Sequence, residues 1–289
     1  MRSLWKPFVL YMTALLLFHN VFVDMGIMGP EELLSQKDFV VRFGRILAFE
    51  NKELLGQPMW FIPLLFSVVV TFCFALHLCR RLSAKYADRW LAVIGVVSAA
   101  VGSILSSKVI ITLYRMEWGL LYLSIMIAGY LFCKRKNWEK GVTWYGALLC
   151  IGILCGWLYI RPRLGWSNSV WATWMVFILT GLAGSYAVLY LSRWLVKWKV
   201  SRWLFAKMGR DSFAIMALHC LAFKAVIAVY IAVCPEGGAA LTDFPAFYAV
   251  PDILWPFYIL AGTGLPVLLV SGLRYVWRRL TGKVKLAAG

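Results

Sequence analysis

The 289-residue chain is poor in charge and poorer still in acid. Charged residues make up 15%, Asp and Glu together number 13, and histidine occurs three times. A soluble domain carries about 25% charged residues. A soluble enzyme, a disordered tail and a fibrous repeat are therefore excluded. No Gly-x-Ser-x-Gly, His-Glu-x-x-His, P-loop or dinucleotide fingerprint is present, so the familiar catalytic signatures are missing. Acids are almost absent from the apolar runs, which weighs against an ion-driven transporter built on a carboxylate relay. Seven cysteines occur, an odd number with no Cys-x-x-Cys, all in or at the ends of apolar runs. They read as small buried hydrophobes, and they support neither a disulfide framework nor a metal site.

What is abundant is apolar surface. Hydrophobic residues reach 62% and the mean hydropathy is +0.76. That surface needs an apolar solvent, and a spanning helix needs about 20 largely apolar residues. Eight candidates fit: 5–23, 58–79, 90–106, 116–133, 141–160, 170–192, 211–233 and 252–274. The expected fold is all-α, a polytopic membrane helix bundle forming one domain over 1–289. The first run is preceded by Arg2 and Lys6 like a signal peptide, but no small-residue cleavage site follows it, so it counts as a span. Trp60, Trp90, Trp118, Trp166, Trp194, Trp255 and Trp277 fall near span ends, as an aromatic belt would.

The loop charges orient the bundle. With the N-terminus placed in the cytoplasm, 21 of the 30 Lys and Arg fall in cytoplasmic segments and ten of the 13 acids fall outside. Every loop pair then agrees with eight spans, both termini cytoplasmic and a basic cytoplasmic tail at 275–289. The net charge of +17 needs no nucleic acid to explain it. The long outer loop 24–57 mixes Leu33, Leu34, Phe39, Val40, Val41, Phe43, Ile46 and Leu47 with charges, and reads as an amphipathic segment in the outer interface.

Polar groups inside spans are costly unless they are paired or line a wet cavity. His219 lies about 12 Å along its helix from Asp211, with Ser212 on the same face. Lys224 lies deeper and roughly 140° around the helix. It either snorkels to the outer interface or faces the bundle. His19 sits near the outer end of the first span. Lys108, Arg115 and Glu117 border a short outer loop, either as a solvated face or as a cationic mouth for a polar acceptor.

Two segments resemble the acyltransferase 3 family of integral membrane O-acyltransferases. One is Gln57-Pro58-Met59-Trp60-Phe61-Ile62-Pro63-Leu64-Leu65-Phe66, similar to a helix start that follows an outer loop in that family. The other runs from Met208-Gly209-Arg210-Asp211-Ser212 through His219 to Phe223-Lys224, and is similar to a segment of bacterial saccharide acetylases in the family. Ala128-Gly129-Tyr130-Leu131 and Tyr258–Pro266 are weaker matches in the right order. The start differs. Members typically have ten helices, with an Arg or Lys eleven residues before a first-helix His. Here the residue eleven before His19 is Phe8. The segment Arg2–Phe8 instead looks like the start of the family's third helix, so the chain reads as a member lacking the first two helices.

The resemblance implies transfer of an acyl group, usually acetyl from cytoplasmic acetyl-CoA, to a hydroxyl of a cell-surface saccharide or lipid-linked glycan. The expected setting is a bacterial inner membrane. The co-substrate would be acetyl-CoA, with no bound cofactor and no metal. Partners would be membrane lipids, a saccharide or glycolipid acceptor, and a protein supplying the missing helices. His219 and Ser212 carry over as supporting residues, the catalytic base itself being unassigned. Arg2 and Lys6 go to the acyl-CoA side, and Lys108, Arg115 and Trp60 to the acceptor side. The alternative is an inactive, N-terminally truncated remnant or a non-enzymatic component of polysaccharide export.

Overall fold

Long apolar runs in this chain become helices because a helix satisfies its own backbone where no water is available. A computed structural model describes residues 2–107, 116–164, 170–244 and 250–281, and every regular element among them is helical. Five helices among the described residues are long and apolar enough to cross a membrane: 57–82, 87–106, 176–195, 212–233 and 255–280. Three more apolar helices, 4–17, 118–133 and 144–160, are shorter. The eight expected runs are therefore all helical, and five meet the length of a span. The fold is a polytopic membrane helix bundle.

The chain divides into two units. The first comprises Met1–Ile62 and Trp203–Gly289. It contains α1 (Arg2–Leu17), α2 (His19–Asp24), α3 (Gln36–Leu47), the end of α9 (Lys199–Arg210), α10 (Ser212–Val233) and α11 (Trp255–Leu280). Here α10 packs along α11, while α1 packs on α3 and α10. Helix α3 starts where the Ser35 hydroxyl accepts from Asp38 N at 3.2 Å, which satisfies one of the orphan donors of the first turn. The second unit, Pro63–Arg202, holds α4 (Phe61–Leu82) but for its first two residues, α5 (Ala87–Ser107), α6 (Met116–Cys133), α7 (Trp144–Leu164), α8 (Val170–Leu195) and the start of α9. Its main pairs are α5 with α6 and α7 with α8. At Gly102 the missing side chain lets α5 approach α6, since a Cβ would lie 3.0 Å from Leu120 Cβ. Small residues serve this purpose at helix contacts in membranes.

Loops of the second unit are tied to helix ends by polar side chains. The Tyr186 hydroxyl donates to the Gly141 carbonyl at 2.7 Å and accepts from Thr143 N at 2.9 Å. Arg193 donates to the carbonyls of Glu139 (2.6 Å) and Val142 (2.8 Å). Lys134 pairs with Asp88 at 2.6 Å.

Two expectations need correction, and a third gains detail. The run 5–23 is not one helix. It stops at Leu17 and resumes as the short α2 at His19, because the side chains at 19 and 20 are engaged by the segment that follows. The loop 24–57, read from the sequence as an amphipathic segment, contains a 3-10 turn at Pro30–Glu32 and the amphipathic α3, whose Ile46 is buried while Val40 is exposed. The cysteines are all free thiols, but only Cys79 and Cys220 are buried, and Cys73, Cys133, Cys155 and Cys234 lie on the protein surface. In a lipid-solvated helix an apolar side chain has two apolar places to go, so its hydropathy does not choose between them.

Candidate functional site

The candidate site residues of the first unit divide into saturated and open groups. His19 is saturated. Its ring is fully buried, Nε2 lies 2.8 Å from the Glu32 carbonyl, and Nδ1 lies 2.8 Å from Glu53 Oε1. A carbonyl only accepts, so Nε2 carries a proton and donates it. The second ring nitrogen shares a proton with the buried Glu53 carboxyl. Neither nitrogen is left for a substrate. Beside it, the Asn20 amide donates to the Leu34 carbonyl and accepts from Leu34 N, both at 3.0 Å. Glu53 is in turn placed by Asn51, whose Oδ1 accepts from Glu53 N at 2.8 Å. Arg42 stands 3.7 Å from Glu53 Oε2 and 3.9 Å from Glu32 Oε2. Phe49 packs edge-on against Phe8 of α1 at 4.8 Å, fastening the same segment to α1. The sequence reading missed Glu53 as the partner of His19. The available signal was an acid amid Leu54, Leu55 and the family-like motif from Gln57.

His219 is open. Its Nδ1 donates to the Ile215 carbonyl one turn back at 2.9 Å. That bond assigns the neutral ring's proton to Nδ1, so that in the neutral form Nε2 is the acceptor. No partner takes Nε2 among the described residues. The ring lies edge-to-face with Phe223 (5.3 Å), which meets Tyr258 of α11 at 5.0 Å. Helix α11 comes this close because residue 262 is glycine: a Cβ there would sit 2.5 Å from Phe223 Cε1 and 3.4 Å from His219 Cβ. Pro266, one turn further along α11, has no N–H to give the Gly262 carbonyl. An imidazole base and a backbone carbonyl short of its donor thus occupy neighbouring helices.

The remaining residues fall around these. Ser212 is exposed in the first turn of α10, about 10 Å by helical rise from His219, and no hydrogen bond joins them. Asp211 just before it is buried and accepts from Arg274 of α11 at 2.6 Å, a pairing the sequence reading did not anticipate. Lys224 is buried and donates to the carbonyls of Leu241 (2.8 Å) and Asp243 (2.7 Å). The Asp243 carboxylate accepts from Ala240 N at 2.8 Å, closing the turn that Lys224 holds against α10. Trp60 is half-exposed and meets Phe61 edge-on at 6.2 Å, in a 3-10 turn, Gln57–Trp60, that packs on α10. Lys6 is exposed. The Arg2 side chain, Lys108 and Arg115 lie outside the described residues. No group of three His, Cys, Asp or Glu residues gathers to hold a metal among the described residues.

No curated protein and no solved structure matches the chain. A family described as an acyltransferase domain, the acyltransferase 3 family, matches residues 1–275, from α1 to within the last two turns of α11. The open imidazole on α10 therefore belongs to a membrane protein of an acyl-transferring lineage, and the chain is a member of the acyltransferase 3 family.

Proposed function

We propose that this chain is a membrane-bound O-acyltransferase that moves an acyl group, most simply acetyl, from cytoplasmic acyl-CoA to a hydroxyl of a cell-surface saccharide or lipid-linked glycan. The observation that carries the reading is His219, an imidazole held at Nδ1 with Nε2 unpartnered among the described residues, within a chain of this family. Nε2 takes the proton of the acceptor hydroxyl as that oxygen attacks the thioester carbonyl. The C–S bond breaks, and the proton passes to the departing CoA sulfur. The setting is a bacterial inner membrane, with the cationic helix ends on the cytoplasmic side, where they favour the anionic CoA headgroup.

A second reading follows from His19. With both nitrogens of His19 engaged, the open histidine of the first unit among the described residues is His219, which also suits a non-enzymatic membrane partner or a component of polysaccharide export. Transfer of labelled acetyl from acetyl-CoA, measured on membranes holding the full chain, separates the two. The enzymatic reading expects transfer that His219→Ala lowers by about a hundredfold or more, the usual worth of a general base. Absent transfer, or transfer that His219→Ala leaves intact, defeats it.

A further inference from the structure

Helix α9 has no place in the chemistry above, yet its surface is sharply divided between an apolar side and a cationic side. It is 12 residues long, too short to span a membrane, and it joins two helices that do qualify as spans. Three residues separate it from the end of α8, and Asp211 alone separates it from α10. A connector between consecutive spans lies where the hydrocarbon ends. At 100° per residue, Val200, Leu204, Met208 and Phe205 occupy one arc of about 140°, and Lys199, Arg202, Lys207 and Arg210 occupy the opposite side. Protein does not cover the apolar arc: Val200 is 78% exposed, Phe205 50% and Leu204 45%. Trp203 lies among the cations with the Lys207 ammonium 5.5 Å from its ring. Just before the helix, Trp194 and Trp198 pack at 4.7 Å, both largely exposed.

The charge is uncompensated. No Asp or Glu occurs between Glu139 and Asp211. Among the described residues no ion pair joins Lys197, Lys199, Arg202, Lys207 or Arg210 to an acid. An apolar stripe flanked by paired tryptophans matches the boundary between acyl chains and headgroups, and unneutralised cations beside it match headgroup phosphates. A nucleotide would need an enclosing pocket and would leave the apolar stripe in water.

We propose that α9 is a docking helix for anionic phospholipid, its apolar stripe set among the acyl chains and its cations on the phosphates of the surrounding leaflet. The test places the full chain in nanodiscs of phosphatidylcholine alone and of phosphatidylcholine mixed with phosphatidylglycerol. Amide hydrogen exchange over 199–210 is the readout. Anionic lipid should slow that exchange by about fivefold or more, the worth of one cation near an anionic leaflet. K199Q/R202Q/K207Q/R210Q should erase the difference and Lys199→Arg with Lys207→Arg should keep it, with protection of 212–233 reporting that each variant is folded. If the neutral variant fails to fold, the two-lipid comparison on the unmodified chain decides. Equal exchange in both lipids overturns the proposal. So does slowing of 199–210 by free CoA in discs of phosphatidylcholine alone.

Discussion

The buried pair of His19 and Glu53 makes an asymmetric prediction about stability. Replacing His19 with Leu strands a buried carboxyl whose Oε2 already lacks a hydrogen-bond partner and whose nearest cation, Arg42, is 3.7 Å away. Breaking one side of a buried pair costs about 3–5 kcal/mol. The Glu32 carbonyl also loses its donor, which adds roughly 1–3 kcal/mol. Replacing Glu53 with Leu leaves a neutral imidazole short of one bond and still bound to Glu32, a loss of about 1–3 kcal/mol. Replacing both removes the buried charge altogether and leaves only the Glu32 carbonyl, again about 1–3 kcal/mol. The double variant H19L/E53L should therefore be more stable than His19→Leu alone. Thermal unfolding of the four proteins in one detergent measures this, at about 2–4 °C per kcal/mol or somewhat less for a longer chain. If the two substitutions add within about 0.5 kcal/mol, the side chains do not interact and the saturated reading of His19 fails.

Two further outcomes follow from the same unit. Lys224→Met keeps the aliphatic stem but removes both donors to the Leu241 and Asp243 carbonyls. Hydrogen exchange should rise across 238–244 with α10 left intact, and unchanged exchange there would show that the ammonium does not hold the turn. The Ser35 hydroxyl, which donates to Asp38 Oδ2 at 2.6 Å, holds the Asp38 carboxyl below its ordinary value. A depressed carboxylate contributes stability that is present above its unfolded value and lost as pH falls through the folded one. A carbon-13 carboxyl titration should place the Asp38 midpoint below that of a short peptide, and Ser35→Ala should return it upward; a midpoint that ignores Ser35→Ala refutes the assignment.

How much of this was legible in the sequence depends on what each feature answers to. The apolar runs answer to the solvent, so hydropathy alone located eight helical segments. The stop at Leu17 answers to partners far along the chain. The apolar run continues through Val21, Phe22 and Val23, but His19 bonds to residues 32 and 53 and Asn20 to residue 34, and no local pattern encodes that. Lys224 is similar, since its partners are backbone carbonyls, which every residue has. Counting the charges at 193–210 gave an expected side of the membrane but concealed α9, because a count discards the 100° spacing that divides its faces.

The two histidines carry the argument furthest. In the sequence each is a lone His in an apolar run, and only the family-like segment 208–224 around His219 ranks it above His19. An imidazole's capacity as a base depends on how many of its two nitrogens the protein has already used. His19 has used both and His219 has used one. The residue that interrupts α1 is thereby a fastener for the segment 24–57, and the residue that looks like one more core position on α10 keeps one ring nitrogen unpartnered among the described residues. The difference rests on Glu53, 34 residues from His19, and on Gly262, which lets α11 close on the His219 turn without covering it with a side chain of its own.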